Sequence, residues 1–393
     1  MRVDGVPPTK VKATLRPQMS GAESRVGVGP LTKGHTHMHR KWGLAAAAAA
    51  AALVLAACGG SSDGGDSSSS GGGGGGGEGD CPGADSFCIG LVTDTGKVDD
   101  KSFNQSAWEG ALQAAQETGG YAKYIETVDP KDYENNINQF IQGGYDVIVT
   151  VGFLMGEATV TAAKANAGVA FIGVDQFQGE EVANLTGLVF NEDKAGYAAG
   201  YLAGLMTQTG KIGAVLGTDT VPPVVLFGEG YKAGALAANP AVDVTLVYHE
   251  PNNAFNDPEW GAAESKKQLE QGADIIFGAG GNTGNGALIE IAKAPGAGES
   301  TFCIGVDTDQ FFTVPQAAKC LLTSAEKKLT LGTKDLIILA KDGKAPGGNF
   351  FGLTGLAPYH DTEAAVPDDV KKKVEEVIAG LDAGTIVTDV TLG

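Results

Sequence analysis

The sequence predicts an α/β protein made of two Rossmann-like lobes with parallel sheets, joined by a hinge. From residue 87 onward, short apolar runs alternate with stretches that carry apolar residues at helical spacing. This alternation is typical of strand–helix–strand units in parallel sheets with helices on both faces. The pattern continues for about 300 residues, which exceeds the usual size of a single core, so two domains are expected.

Residues 1–57 are predicted to be an N-terminal extension followed by a lipoprotein signal peptide. Basic residues at His39–Lys41 precede an apolar run of 14 residues, Leu44–Ala57. This run is too short to span a bilayer but fits a secretory signal. It ends in Leu55–Cys58, which resembles a bacterial lipobox and implies lipid attachment to Cys58. We interpret Met38 as the initiator; the alternative for this run is a buried alanine-rich helix.

Residues 58–80 are predicted to be a flexible tether. Positions 59–79 contain 12 Gly and 6 Ser. A coil of this composition and length has a root-mean-square span of roughly 25 Å. The sequence therefore predicts a folded part that moves above a membrane surface, held by a lipid anchor on the extracytoplasmic face of the cell membrane.

The charge balance argues against nucleic acid as a partner. The 393-residue chain has a formal net charge of −19. Removing residues 1–57 takes away 8 of the 28 basic and 2 of the 47 acidic residues, which leaves 20 lysines and no arginine against 45 acidic residues. Nucleic-acid phosphates require basic surfaces. Since arginine is the preferred bidentate partner of carboxylates and phosphates, a neutral polar ligand is favoured over an anionic one.

Four cysteines follow Cys58, and an even number in an exported chain suggests disulfides. Cys81 with Cys88 would close a small loop, and Cys303 with Cys320 would join neighbouring strands; the other pairings stay open. The spacing of Cys and His matches no zinc motif, so we expect neither a metal nor a cofactor.

The folded part divides into elements that can be assigned to two lobes. We assign 81–191 plus about 308–344 to lobe I and 192–307 plus about 345–393 to lobe II. The predicted strands are Phe87–Val92, Tyr121–Val128, Asp146–Val151, Ala170–Val174, Leu185–Phe190, Lys211–Leu216, Val242–Tyr248, Asp274–Phe277, Thr301–Val306 and Lys319–Ser324. The predicted helices include Tyr133–Gln142, Glu157–Asn166, Lys194–Thr209, Glu259–Gln271 and Gly284–Ala294.

The loop after the first strand carries the strongest functional signal. It lies within Thr93–Gly110 and leads into apolar residues at helical spacing. Ser102 and Gln105 match a capping box, which predicts that a helix begins there with Phe103 and Asn104 in its first turn. An aromatic ring and an amide would then lie at the carboxyl edge of a sheet, where open α/β folds bind ligands.

Other predicted strands end in similar loops, in which glycine is joined by a carboxylate, an amide or an aromatic ring. Two sheet edges of this kind facing one another would enclose a cleft. We interpret Asp99 and Asp100 not as ligands but as solvated charges or as charges that stabilise the start of a helix. The loops are Gly152-Phe153, Gly173-Val174-Asp175, Gly217-Thr218-Asp219, Gly280-Gly281-Asn282 and Gly305-Val306-Asp307.

Nine segments of the folded part, in this order, carry a family resemblance. They are VDDKSFNQSAWEG, VGF at 151–153, GVD at 173–175, GYLAG at 200–204, VPPV at 221–224, FNDPEWG at 255–261, GAGGNTGNG at 278–286, GVDTDQ at 305–310 and LTSAEKK at 322–328. Together they resemble the basic membrane protein family of substrate-binding lipoproteins, which includes purine nucleoside receptors. The resemblance implies a type I periplasmic-binding-protein fold that captures a nucleoside between its lobes and delivers it to an ABC transporter permease.

The resemblance also implies a role for particular residues. Phe103 would stack on one face of the base and Phe255 on the other, with Phe227 and Phe153 as second choices. The departure of LTSAEKK from the family pattern leaves Lys328 as an alternative to Lys327. The implied polar contacts are Asp94, Asn104 and Asp175 to the base, and Asp307, Lys327 and the backbone near Gly281 to the ribose.

We expect a monomer that is not an enzyme, since the sequence shows no catalytic constellation. One alternative is a receptor for another neutral solute, such as a simple sugar. The other is a nucleoside hydrolase, which would hold calcium with clustered aspartates; a single Asp-x-Asp, at Asp307 and Asp309, is the match to that pattern. Capture would occur by hinge closure.

Overall fold

A computed structural model describes residues 81–392 with the exception of Ala84. The predicted signal peptide, the lipidation site Cys58 and the tether lie outside these residues. Within the described part, no helix combines the length and the apolar character needed to cross a bilayer.

The described residues form two six-stranded sheets surrounded by helices. The strands are β1 (Cys88–Thr95), β2 (Tyr121–Thr127), β3 (Val147–Val151), β4 (Ala170–Val174), β5 (Leu185–Val189), β6 (Lys211–Leu216), β7 (Asp243–Tyr248), β8 (Ile275–Ala279), β9 (Phe302–Asp307), β10 (Leu321–Lys327), β11 (Gly348–Phe351) and β12 (Thr354–Leu356). The α-helices are α1 (Phe103–Thr118), α2 (Tyr133–Gln142), α3 (Gly156–Ala165), α4 (Glu192–Met206), α5 (Pro222–Ala238), α6 (Pro258–Glu270), α7 (Gly281–Ile291), α8 (Gln310–Thr313), α9 (Leu329–Lys341) and α10 (Asp368–Asp382). Short 3-10 helices span Pro130–Asp132, Phe153–Met155 and His360–Ala365.

The first sheet has the strand order β11-β5-β4-β3-β1-β2, and all of its strands are parallel. The central strands β3 and β5 are buried along their whole length, as expected of continuous apolar runs in a sheet covered on both faces. One face packs against α1 and α9, and the other against α2 and α3. This unit is lobe I.

The second sheet has the order β12-β10-β9-β8-β6-β7 and is parallel except for β12, which pairs antiparallel with β10. Helices α4, α5 and α10 cover one face, and α6 and α7 the other. Helices α4 and α5 lie in direct backbone contact: a Cβ at Gly200 would stand 1.8 Å from the carbonyl oxygen of Tyr231, and one at Gly234 would stand 1.9 Å from that of Tyr197. Only glycine allows this approach. This unit is lobe II.

The chain crosses between the lobes three times, and the crossings correct our assignment of 308–344 and 345–393. Strand β10 pairs with β9 in lobe II, so the second crossing comes after Lys327. Helix α9 and strand β11 then belong to lobe I, and β12 and α10 return to lobe II. The assignment differs from the structure at β10 and β11, because the apolar pattern of a strand does not identify the strand it pairs with.

Both disulfides that the sequence favoured are present. Cys81 is bonded to Cys88 and Cys303 to Cys320, with Cα–Cα separations of 5.9 and 5.2 Å. The second bond links β9 to the residue before β10, since Cys303 lies in β9 and Cys320 directly precedes β10. This disulfide therefore restrains β9, the strand whose last residue, Asp307, lies at the interlobe cleft.

Candidate functional site

A cleft between the lobes is lined by residues that follow the carboxyl ends of strands in both sheets. The structure brings every residue of the sequence-predicted site, including both second choices, to this cleft. These residues are Asp94, Phe103, Asn104, Phe153, Asp175, Phe227, Phe255, Gly281, Asp307 and Lys327.

The start of α1 differs from the predicted capping box. The helix does begin after Ser102, but the Ser102 side chain does not cap it. The Asp100 carboxylate does so, by accepting hydrogen bonds from the backbone N–H groups of Ser102, Asn104 and Gln105 at 3.0, 2.9 and 3.1 Å. Ser102 Oγ instead donates to Asp307 Oδ2 across the cleft at 2.7 Å. A carboxylate that accepts three N–H bonds stabilises the helix start more strongly than a serine hydroxyl.

Asp100 is a buried helix cap rather than a solvated charge, and it also lines the cleft. Burial raises the pKa of Asp100 to about 7, although the three backbone N–H bonds oppose this change. The sequence correctly indicated a charge at the helix start. It did not indicate the burial, because the residues that cover Asp100 come from the other lobe.

Asp175 and Asp307 occupy equivalent positions in the two lobes. Each ends a Gly-Val-Asp segment, one directly after β4 and the other as the last residue of β9. Their φ angles are +60° and +66°, in the left-handed region that is uncommon for residues other than glycine. Backbone conformations of this kind cluster at functional sites. Each lobe thus presents the buried carboxylate of a Gly-Val-Asp segment to the cleft.

Lys327, the last residue of β10, joins these carboxylates. Its Nζ lies 2.5 Å from Asp175 Oδ2 and 3.9 Å from Asp307 Oδ1. Burial acts to lower the pKa of Lys327, but the surrounding carboxylates outweigh it and raise the pKa above its ordinary value. Burial raises the pKa of Asp175 and of Asp307, against the attraction of the lysine. The cluster therefore contains more carboxyl groups than its single ammonium can neutralise.

Aromatic rings surround the same ammonium. The Nζ of Lys327 lies 4.7 Å from the ring centroid of Phe103 and 5.5 Å from those of Phe190 and Phe227. Phe255 lies against Gly217, where a Cβ would stand 2.5 Å from the phenylalanine Cε1. Glycine at the end of β6 thus makes room for a ring from lobe II.

Phe227 lies within α5 and is buried against Phe277, at a centroid distance of 6.0 Å. Phe255 lies in the loop between β7 and α6 and is less buried. Both rings reach the cleft, so lobe II offers two aromatic surfaces where the sequence led us to favour one. Phe153 is 39% exposed and belongs to the rim.

Two acceptors in the cleft have no hydrogen-bond partner among the described residues. Asn104 Oδ1 and Asp175 Oδ1 are both fully buried. Buried polar atoms are normally paired, so these two are positioned to receive donors from a ligand. Asp94, by contrast, accepts from the Tyr133 hydroxyl and from the Thr95 N–H. Burial raises the pKa of Asp94, and the bond from Tyr133 opposes this.

The loop before α1 holds the lobes together. Asn285 Nδ2 donates to the carbonyl oxygen of Asp100 at 2.7 Å, and Thr313 Oγ1 donates to that of Lys101 at 2.7 Å. With the bond from Ser102 to Asp307, these contacts link lobe I to α7, α8 and β9 of lobe II. The lobes are therefore in direct contact beside the cleft, as expected of a closed form.

The functional residues that sequence reasoning missed are Asp100, Ser102, Tyr133 and Glu192. Ser102 bonds to Asp307, Tyr133 to Asp94, and Glu192 contacts Lys327. The available sequence signals were an acidic residue near a helix start for Asp100 and Glu192, and a position inside the main motif for Ser102. Tyr133 carried no signal, because its partner lies 39 residues away.

The arrangement suits a flat ligand with polar edges. The cleft combines aromatic faces from both lobes, two unpaired acceptors and an ammonium group. Among the described residues, no group of three or more His, Cys, Asp or Glu side chains could hold a metal ion. The rings of the cleft can stack on a flat ligand, and its oxygens and ammonium can form hydrogen bonds with polar edges.

A family model described as "ABC transporter substrate-binding protein PnrA-like" (Bmp) matches residues 89–354. The chain belongs to this family. The match spans both lobes and includes every predicted ligand-binding residue. Members of the PnrA-like family are substrate-binding proteins of ABC transporters.

The relatives of this PnrA-like chain carry several different names. It is 33% identical over 310 residues to the CD4+ T-cell-stimulating antigen of Listeria monocytogenes, which covers 74% of this chain and 84% of the relative. It is 31% identical over 272 residues to the ABC transporter nucleoside-binding protein BmpA of Lactococcus lactis, covering 66% and 76%. It is 28% identical over 298 residues to basic membrane protein A1 of Borrelia garinii, covering 74% and 84%.

Solved structures share the fold at lower identity. A solute-binding protein of an ABC transporter system from Aeropyrum pernix has a TM-score of 0.70 at 24% identity, covering 77% of this chain and 92% of that one. A periplasmic solute-binding protein from Actinobacillus succinogenes, solved with bound D-allose, has a TM-score of 0.53 at 17% identity, covering 71% and 99%. At these identities the likeness establishes the two-lobed architecture of solute-binding proteins.

Proposed function

We propose that this chain is an extracytoplasmic receptor that binds a purine nucleoside between its lobes and delivers it to an ABC transporter permease. The observation that carries the proposal is the cleft that Phe103 of lobe I shares with Phe255 of lobe II. A base has two flat faces, and stacking on aromatic rings tolerates differences in base identity. The relative from Lactococcus lactis is named as nucleoside-binding, which supports the same ligand class.

The polar groups of the cleft fit the remaining parts of a nucleoside. The unpaired oxygens of Asn104 and Asp175 accept donors from the base edge, together with Asp94. A ribose diol donates to Asp307, and Lys327 donates to a ribose oxygen close to the backbone at Gly281. A site that pairs these groups rejects analogues that lack them, because the buried partners would be left unpaired.

The charge of the cleft favours a nucleoside over a nucleotide. Asp94, Asp100, Asp175 and Asp307 line it, against the single cation Lys327. A phosphate would enter without an arginine partner and close to several carboxylates, which is unfavourable in a poorly solvated site. The ligand is therefore the uncharged nucleoside.

A thermal-shift screen tests the proposal. Purified protein lacking residues 1–57 is expected to melt at a higher temperature with inosine, guanosine or adenosine, because a ligand that binds the folded state stabilises it by mass action. The corresponding nucleoside monophosphates, ribose and D-allose serve as matched controls and should give a smaller shift. A larger shift with a free sugar than with any nucleoside would contradict the proposal and favour a sugar receptor.

We also propose that Cys58 anchors the receptor through lipid, because it follows an apolar signal and precedes a Gly/Ser-rich tether. Full-length protein expressed in a bacterium that processes lipoproteins is expected in the membrane fraction, and the Cys58→Ser variant in the soluble extracytoplasmic fraction. Cys81→Ser with Cys88→Ser is the control, since these cysteines form a disulfide and should not affect fractionation. Membrane retention of Cys58→Ser would contradict the anchor.

A further inference from the structure

The buried carboxyl group of Glu192 has no role in the ligand contacts described so far. Glu192 is the first residue of α4, directly after the first crossing between the lobes, and is only 3% exposed. Its Oε1 lies 3.5 Å from Lys327 Nζ. Lys327 ends β10 at the second crossing. A carboxyl group at the hinge, where the chain crosses between the lobes, therefore lies beside the lysine that we propose to contact the ligand.

The three acidic partners of Lys327 differ in how they would move when the lobes separate. Helix α4 packs against β10 within lobe II, so Glu192 and Lys327 belong to the same lobe. Asp307 ends β9 of the same sheet. Asp175 follows β4 and belongs to lobe I. Opening the cleft therefore takes Asp175 away from the lysine and leaves Glu192 beside it.

In the closed form the ammonium of Lys327 lies closer to Asp175 than to Glu192. The separation is 2.5 Å to Asp175 Oδ2, against 3.5 Å to Glu192 Oε1. Asp307 is supported by the hydroxyl of Ser102. Asp175 therefore holds the ammonium more closely than Glu192 does, and the carboxyl group of Glu192 keeps only a longer contact with it.

We propose that Glu192 is the open-state partner of Lys327, and that closure around the ligand transfers the lysine to Asp175 while Glu192 takes up a proton from solvent. This inference rests on the proposed function, because it assigns Lys327 to the ligand site. Glu192 acts through Lys327 and is a positioning residue. The proton balances the charge of this step. Closure brings the negative carboxylate of Asp175 to Lys327, and the proton that Glu192 takes from solvent removes one negative charge from the cluster.

The groups that face Glu192 agree with this exchange. Lys327 on β10 and Asp175 after β4 are its ionisable neighbours, and no other charged side chain among the described residues forms an ion pair with it. Burial raises the pKa of Glu192 to about 8, the attraction of Lys327 opposes this, and the repulsion of Asp175 adds to it. Opening removes Asp175 and admits water, and both changes lower the pKa again.

The difference between the pKa of Glu192 in the closed form and in the open form decides whether ligand affinity rises or falls with pH. A carboxyl whose pKa is higher in the closed form than in the open form binds a proton when the lobes close. Ligand affinity is then greatest below the open-state pKa and falls as the pH rises through about 8. With one proton taken up, the dissociation constant increases by at most about tenfold per pH unit.

Titration calorimetry in two buffers of different ionisation enthalpy tests the inference, because it counts the protons taken up on binding. Near pH 7.5, the wild-type protein is expected to take up a fraction of a proton approaching one when inosine binds. The isosteric variant Glu192→Gln, which keeps the neutral form permanently, should lose most of this uptake. Because glutamine stays neutral in both states, this variant should bind inosine more tightly than the wild type near pH 7 and should lack the loss of affinity that the wild type shows as the pH rises towards about 8.

Glu264→Gln is the matched control. Glu264 is also a buried glutamate that pairs with a lysine, Lys267, but it lies on α6 away from the cleft. This variant should retain the proton uptake of the wild type. Melting temperatures of the ligand-free proteins show whether each variant is folded.

The outcomes separate this inference from the function it rests on. Inosine binding by the wild type with the same proton uptake in Glu192→Gln would overturn the role of Glu192 and leave the receptor proposal standing. Failure of the wild type to bind inosine, guanosine or adenosine would overturn the receptor proposal itself.

Discussion

Replacing Phe103 with alanine is expected to weaken nucleoside binding by about 10- to 100-fold, because the stacking of a base on an aromatic ring contributes roughly 1–3 kcal/mol. The ring stands in the first turn of α1, whose start is fixed within lobe I by hydrogen bonds from backbone N–H groups to the Asp100 carboxylate. It is therefore held in place before the ligand arrives, and little ordering entropy opposes the contact. Titration calorimetry with inosine measures the change.

Two further variants make this result specific. Phe103→Leu keeps an apolar side chain without a π face and should recover only part of the lost affinity. Phe312→Ala removes a ring that is 69% exposed and does not line the cleft, and it should leave affinity unchanged. If Phe103→Ala bound inosine as well as the wild type, the stacking role would be refuted.

The second large effect is expected for Lys327→Met, which should both abolish measurable nucleoside binding and destabilise the fold by about 3 kcal/mol. The change removes the only cation from a buried cluster that contains Asp175, Glu192 and Asp307. Each carboxylate would then be buried without its partner, and the ribose would lose its donor. Urea denaturation and inosine titration measure the two effects separately.

Lys328→Met distinguishes the two adjacent lysines that the sequence left open. The Lys328 side chain is 44% exposed and pairs with Glu326, so its loss should cost less than about 1 kcal/mol and leave binding intact. The double variant Lys327→Met with Asp175→Asn should regain part of the stability without regaining affinity, since it removes one uncompensated charge. Equal effects of the two lysine substitutions would contradict the assignment of the site to Lys327.

Together these variants separate the two kinds of contact in the cleft. Phe103 supplies apolar surface and acts on affinity alone. Lys327 acts on affinity and on stability, because its ammonium contacts carboxyl groups of both lobes and of the hinge. Glu192 then adjusts the charge of the cluster as the lobes close.

The sequence alone predicted ten of the twelve strands in the described sheets and a cleft at their carboxyl edges. All ten predicted strands are present, because parallel strands buried on both faces read as continuous apolar runs. The prediction for β10 ended at Ser324, three residues early, because the strand continues through the polar pair Glu326 and Lys327 into the cleft. Strands β11 and β12 were missed, since they are four and three residues long and carry little apolar signal.

Only the tertiary structure decided how the cleft residues are paired. Ser102 bonds to Asp307, 205 residues away, and Lys327 to Asp175, 152 residues away. Periodicity and helix-start patterns describe contacts within a few residues, so they assigned Ser102 to a cap and left Glu192 unnoticed. The motifs contain the residue types that line the cleft. The sharing of one buried ammonium among three carboxyl groups arises only when three crossings of the chain bring the edges of both sheets together.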